Sequence, residues 1–229
     1  MGIGSLIEQL PDDFSGDLWG TGLLRGQPRT LPLARPLAVR GPLTKALLGI
    51  TDDIALGDPG ILVARHARRG RMRWRLGVLP HGLHRDDAGL RELAVRGGDD
   101  VRVIDVRSRP SAVIGQISHC GAVLTTSLHG LIVADALGIP AVWTQREPLL
   151  WGGRFKFDDY EAVLTPGWSR EVDVDEVNTM ERVLAHADIA DRTARDHTIN
   201  RLEGTLPHLR VTEASLWEAH RVRQSPANP

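Results

Sequence analysis

Short apolar runs alternate along this chain with stretches whose apolar residues recur at helical spacing, and the alternation is most regular between residues 75 and 143. Residues 75–79 (RLGVL), 101–105 (VRVID), 122–124 (AVL) and 141–143 (AVW) have the length and β-branched content of buried strands. Between them, 86–96 and 111–117 read as helices with one apolar face. Leu131, Ile132, Ala134 and Leu137 carry a third helix, which Gly138 and Pro140 stop. Thr125, Thr126 and Ser127 lie where hydroxyls cap a helix start. Strands separated in this way predict a parallel sheet with helices on both faces.

The pattern upstream is sparser. Residues 17–24 (DLWGTGLL) suggest a strand and a glycine turn, and 37–40 a second strand. Pro42 suits the first turn of a helix through Leu48. The GDPG run at 57–60 reads as a turn opening a helix that carries Ile61, Leu62 and Val63 into the fold. A charged stretch at 66–73 marks the expected boundary between an N-terminal part, 1–70, and a central part, 71–165. Residues 166–229 are expected to form a helical C-terminal segment, with helices within 174–187 and 189–203 and a frayed end at 223–229. Residues 149–164 (LLWGGRFKFDDYEAVL) read as irregular and aromatic.

Composition narrows the class. A chain of 229 residues with 41% hydrophobic content can bury one good core or two small ones, and a formal net charge of -1 gives no general attraction to nucleic acid. Cys120 is the single cysteine, so it has no partner for an internal disulfide and reads as a small buried hydrophobe. No run approaches the roughly 20 apolar residues that span a bilayer, and the expected location is the cytoplasm. Of the 28 lysines and arginines only Lys45 and Lys156 are lysine.

Four motifs could carry chemistry. In SLHG, His129 stands where a strand gives way to a helix, Ser127 precedes it, and Gly130 allows close approach of a ligand or backbone. A helix N-terminus outside the carboxyl end of a parallel strand suits an anion, although a histidine bonded to a nearby carbonyl fits the same motif. In VRGPLT, Arg40 ends a strand before a helix, placed either for a bidentate anion contact or for a surface salt bridge. In GVLPHG, His81 lies at another strand end and has a plain loop role as its alternative. In GGRFKFDDY, Lys156 lies between two phenylalanines that could hold its stem, as they would in an ordinary solvated loop. Asp58 reads as fixing a turn or helix start. Histidine and cysteine spacings include no HExxH or paired CxxC, so no metal is expected, and there is no nucleophile elbow or Walker loop.

Taken in order, GIGSLIEQL, DLWGTGLL, VRGPLTKALLG, LGDPGILV, GVLPHG, TTSLHGLIVADALGIPAVW and GGRFKFDDY resemble the polysaccharide pyruvyl transferase family. The likeness runs from about Gly2 to Tyr160. It implies a GT-B-like α/β fold of two Rossmann-like parallel-sheet halves. The implied reaction moves a pyruvyl unit from phosphoenolpyruvate to a sugar and leaves a pyruvate ketal on an exopolysaccharide, a cell-wall glycan or a precursor. It also implies His129 as general acid, Arg40 and Lys156 as anion ligands, and His81, Ser127 and Gly130 as further substrate contacts, with no cofactor. A saccharide or lipid-linked saccharide is the implied acceptor, and the lipid-linked form would bring the protein to the membrane's periphery.

Family members carry an earlier stretch with an asparagine and a Gly-Asp pair, and this chain opens after that point. The N-terminal half is therefore expected to be shortened, and an uncovered sheet edge leaves a homo-oligomer open. Two other functions stay in view: a catalytically silent module that binds an anion or glycan, and a glycosyltransferase of the same fold using a nucleotide-sugar donor.

Overall fold

The computed structural model describes residues 1–210, so the end expected to fray lies outside the described residues. Two parallel sheets organise the chain. The first joins β1 (Asp17–Trp19), β2 (Arg35–Val39) and β3 (Ala55–Leu56) in sequence order. The second joins β4 (Trp74–Leu79), β5 (Val101–Val103), β6 (Cys120–Thr125) and β7 (Ala141–Trp143) in the order β5-β4-β6-β7. Every pairing among these seven strands is parallel. The α/β class and the two parallel-sheet regions agree with the reading from sequence and are compatible with Rossmann-like halves.

The order of the second sheet has a consequence for function. From β4 the chain steps outward to β5, then crosses back to place β6 on the other side of β4. The switch point lies between β4 and β6, and the loops that leave it diverge and open a crevice at the carboxyl ends of the strands. The sheet is buried on both faces, as its continuous apolar runs require. Leu76, Val78, Ala122 and Leu124 face one way, toward Leu90 and Leu93. Leu79 and Val123 face the other way, toward Leu131 and Ile132.

Eight α-helices accompany the sheets: α1 (Pro42–Leu47), α2 (Val63–His66), α3 (Ala88–Gly97), α4 (Pro110–Ser118), α5 (Leu128–Ala136), α6 (Phe155–Leu164), α7 (Met180–His186) and α8 (Arg192–Thr205). Pro42 and Pro110 open α1 and α4, where a missing N–H costs nothing. Asp87, Thr179 and Asp191 cap α3, α7 and α8 by accepting from Leu90, Arg182 and Ala194 backbone N–H groups. Helix α7 lies within the expected 174–187 and begins after its capping Thr179.

Helix α6 corrects the reading of 149–164 as irregular. Phe157, Tyr160 and Leu164 bury one face of it, and the Phe157 ring stacks on Trp143 with centroids 4.2 Å apart. The pattern hid it because Asp159 and Glu161 are also buried. Glu161 pairs with Arg170 at 2.9 Å and accepts from the Trp143 indole at 3.0 Å. Arg170 also pairs with Asp135 of α5 at 2.6 Å, and the Tyr160 hydroxyl donates to the same carboxylate at 2.8 Å. A charged network with each member partnered holds α5 and α6 together beneath the sheet ends.

The C-terminal segment folds back on the first sheet. Thr198 and Leu202 of α8 press on Gly57 so closely that no side chain would fit there, and the Trp19 indole donates to Thr205 at 2.9 Å. One apolar cluster takes in Ala38 and Ala55 of the first sheet, Val123 and Trp143 of the second, and Ile199 and Leu202 of α8. Cys120 is buried with its thiol against the Gln116 carbonyl, and burial pushes the thiol up to about 11. It is an inert packing residue.

Candidate functional site

The two loops at the switch point are tied together by one threonine. His81 follows β4, and its backbone N–H donates to Thr126 Oγ1 at 2.7 Å. The same hydroxyl lies 2.9 Å from Nδ1 of buried His84, whose Nε2 lies 2.9 Å from the Pro148 carbonyl. A carbonyl can only accept, so Nε2 carries a proton, and the Thr126 hydroxyl is then free to donate to Nδ1. His84 was absent from the candidates read from sequence, where one loop histidine looks like another. Its role is to hold the loop that carries His81.

Helix α5 begins on the other side of the switch point. Ser127 holds the N-cap position with extended backbone but makes no capping side-chain bond. Thr125 does the local work: its Oγ1 accepts from Ser127 N–H at 2.9 Å and donates to the Leu79 carbonyl at 2.8 Å. Gly130 is buried, and a Cβ there would meet Leu79 and Thr125 at 2.5 Å. Its missing side chain thus serves the seating of α5 on the sheet, not an open approach for ligand. His129, between these packed positions, is exposed in the first turn of the helix.

Arg40 is not placed as a surface residue. Its side chain has no exposure. Nε donates to Asp159 at 2.9 Å, Nη1 to the Ser5 hydroxyl at 2.5 Å and Nη2 to the Leu23 carbonyl at 2.6 Å. Burial pulls the guanidinium below its usual range, while Asp159, Asp58 and Glu8 act to keep it charged. Asp159 also accepts from the Thr44 N–H and hydroxyl at the start of α1. Gly22 and Gly41 are glycines because a Cβ at either would overlap the guanidinium or the Asp159 backbone. With all three nitrogens engaged inside the protein, Arg40 reaches the crevice through its charge rather than by contact.

Lys156 stands in the first turn of α6, half-buried, with Nζ 5.4 Å from the Phe157 ring centroid. Among the described residues no carboxylate pairs with it. Burial first, and the charge of Arg40 second, lower its ammonium to about 8. His81 is lowered as well, by burial first, then by the charge of Lys156 and by the neighbouring imidazoles of His84 and His129. His81 therefore lies within electrostatic reach of both Lys156 and His129. A bound anion would favour their charged forms.

Asp58 lies two residues beyond β3 and is fully buried. Its Oδ1 accepts from Gly60 N–H at 2.8 Å, capping the short 3-10 turn Pro59–Leu62 as the sequence suggested. Its Oδ2 has no hydrogen-bond partner among the described residues. A separate cavity of about 460 Å³ lies beyond β7, lined by Asp87, Arg146, Glu147, Glu171, Asp173 and Asp175. Arg146 is already paired with Asp87 and Asp175 at 2.8 Å each, so that cavity is acidic. Among the described residues no group of three or more His, Cys, Asp or Glu side chains could hold a metal ion. Among them, too, no helix is long and apolar enough to cross a membrane.

A parallel α/β protein with protonatable and cationic side chains gathered at a sheet's switch point has the layout of an anion-binding protein. This chain belongs to the polysaccharide pyruvyl transferase family, whose model matches residues 29–147. That span contains Arg40, Asp58, His81, Ser127, His129 and Gly130, and ends before Lys156. Over 154 residues the chain is 33% identical to uncharacterized protein L143 of Acanthamoeba polyphaga mimivirus, covering 63% of this chain and 53% of that protein. Over 129 residues it is 30% identical to the succinoglycan biosynthesis protein ExoV of Rhizobium meliloti (strain 1021), covering 56% of this chain and 40% of ExoV. The chain thus spans about half, or less, of the length of these curated relatives.

Proposed function

We propose that the protein transfers a pyruvyl unit from phosphoenolpyruvate to a saccharide, forming a pyruvate ketal. The observation that carries this is Lys156, without a carboxylate partner among the described residues, within reach of His81 and of the charge of buried Arg40. Phosphoenolpyruvate brings a carboxylate and a phosphate to such a crevice, while the acidic cavity beyond β7 would repel both.

His129 is the proton donor in this reading, being exposed on the first turn of α5. It protonates the methylene carbon of phosphoenolpyruvate, so the C=C pair forms the new C–H bond and C2 becomes electrophilic. One sugar hydroxyl bonds to C2 and gives up its proton. The C2–O bond to phosphate breaks, and a second hydroxyl of the same sugar closes the ketal. One phosphoenolpyruvate and one diol become one ketal and one hydrogen phosphate, with no oxidant or cofactor needed. Lys156 neutralises the anionic donor, and the charge of Arg40 adds to the field from below. The acceptor is a saccharide, free or lipid-linked, and the reaction takes place on the cytoplasmic side of the membrane.

The test is incubation of the purified protein with phosphoenolpyruvate and a panel of saccharide diols, following phosphate release and the ketal methyl signal together. Both should appear with one class of acceptor and vanish in His129→Ala while the fold is kept. Phosphoenolpyruvate binding without phosphate release over the whole panel would establish a silent anion-binding module instead. Binding of nucleotide sugars in place of phosphoenolpyruvate would establish a glycosyltransferase.

A further inference from the structure

Resting on the reading of His129 as proton donor, we propose that Asp58 is its positioning residue, a buried carboxylate that holds the imidazole and supports its protonated form. The buried Oδ2 is what distinguishes Asp58 from an ordinary turn-capping aspartate. A cap needs one oxygen, and Oδ1 supplies it to Gly60. The second oxygen is buried without a partner, a costly state unless a group outside the static hydrogen-bond set uses it.

The packing sets Asp58 beside α5. Gly60, two residues on, lies against Ile132: a Cβ on it would meet Ile132 Cγ2 at 3.0 Å and Asp58 Oδ1 at 3.1 Å. His129 is three residues before Ile132 on the same helix, hence on the same face one turn nearer the crevice. Asp58 therefore approaches His129 from the first sheet while His81 approaches it from the second.

The charges around Asp58 agree with this placement. Burial raises its carboxyl above the usual range, and the strongest opposing influence is the charge of His129, ahead of the Gly60 N–H and Arg40. The Gly4 N–H also favours the carboxylate, although Oδ2 has no hydrogen-bond partner among the described residues. Across the site, Tyr160 of α6 feels the Asp58 charge as well. His129 on α5, Arg40 at the end of β2 and Tyr160 on α6 are thus the ionisable groups facing it. Arg40 is committed to Asp159 and Tyr160 to Asp135, which leaves His129 as the one that can exchange protons with solvent and substrate.

Two measurements on the full chain test this. Carbon-detected NMR of the Asp58 carboxyl, without substrate, should show it titrating above the ordinary aspartate range, and at still higher pH in His129→Ala. An identical titration in the two proteins would overturn the proposal, whatever reaction the protein performs. In Asp58→Asn, which keeps the cap to Gly60, kcat should fall by at least about 10-fold, part of the roughly 100- to 10,000-fold that a general acid contributes. KM for phosphoenolpyruvate should change little, and the basic limb of the kcat/KM profile should move to lower pH. Unchanged kcat and pH profile would also overturn it. If wild type transfers no pyruvyl group, the proposed function fails, and the carboxyl titration alone decides whether Asp58 and His129 are coupled. If Asp58→Asn does not fold, the same titration decides.

Discussion

Arg40 and Asp159 lie 119 positions apart and meet at 2.9 Å with neither side chain exposed to solvent. This contact joins the end of β2 to the helix that carries Lys156, so it sets the spacing between the two parts of the site. A buried pair adds little net stability over an apolar pair, yet losing one member strands the other. Asp159→Ala should therefore cost about 3–5 kcal/mol, and chemical denaturation would measure it. A loss below about 1 kcal/mol, the size of a surface pair, would mean that solvent reaches Arg40.

Lys156 makes anion binding depend on pH. Its ammonium, held at about 8, is charged below that pH and largely neutral above it. Affinity for phosphoenolpyruvate, measured by calorimetry, should fall as pH rises through about 8. Stability without ligand should move the other way. Between about 8 and the ordinary 10.5 the unfolded chain binds the proton that the folded chain has released, so the contribution of Lys156 to stability rises with pH across that window. Lys156→Met should remove both effects.

Thr126 should matter more than its size suggests. Thr126→Val keeps the shape and removes the hydroxyl shared by the His81 N–H and His84 Nδ1. Two buried groups lose a partner, and the expected cost is about 1–3 kcal/mol by thermal denaturation. The His81 loop should also exchange its amide protons faster. Unaltered exchange would show that another contact holds the loop.

Gly130 distinguishes packing from ligand contact. Gly130→Val would drive a side chain into Leu79 and Thr125, and overpacking of this kind costs about 1–3 kcal/mol. A variant that melts at the wild-type temperature but binds phosphoenolpyruvate poorly would return Gly130 to the substrate.

Most of the second sheet was legible because its strands are continuous apolar runs and its helices keep a clean period. The strand-end positions of His81 and His129 followed from the same alternation, while the strand order that makes the gap between β4 and β6 a switch point came from the tertiary structure. Helix α6 was hidden because its buried face carries Asp159 and Glu161, which a hydrophobicity pattern counts as exterior. Arg40 was visible as a singular residue at a strand end, but whether its guanidinium faced ligand or protein depended on Asp159, Ser5 and Leu23. His84 had no local signal, since its partners Thr126 and Pro148 come from other loops.

The sequence by itself determined the α/β class, the alternation of strands and helices in the second sheet, and the family, because these rest on periodicity and on motifs read within a few residues. The tertiary structure decided what each polar group spends its bonds on. Arg40 became a buried clasp, Gly130 a packing position, and Asp58 a cap with one oxygen left over. The reason is physical: burial and pairing depend on groups brought together from distant parts of the chain, and the desolvation they impose sets the charge state of a site that spacing can only locate.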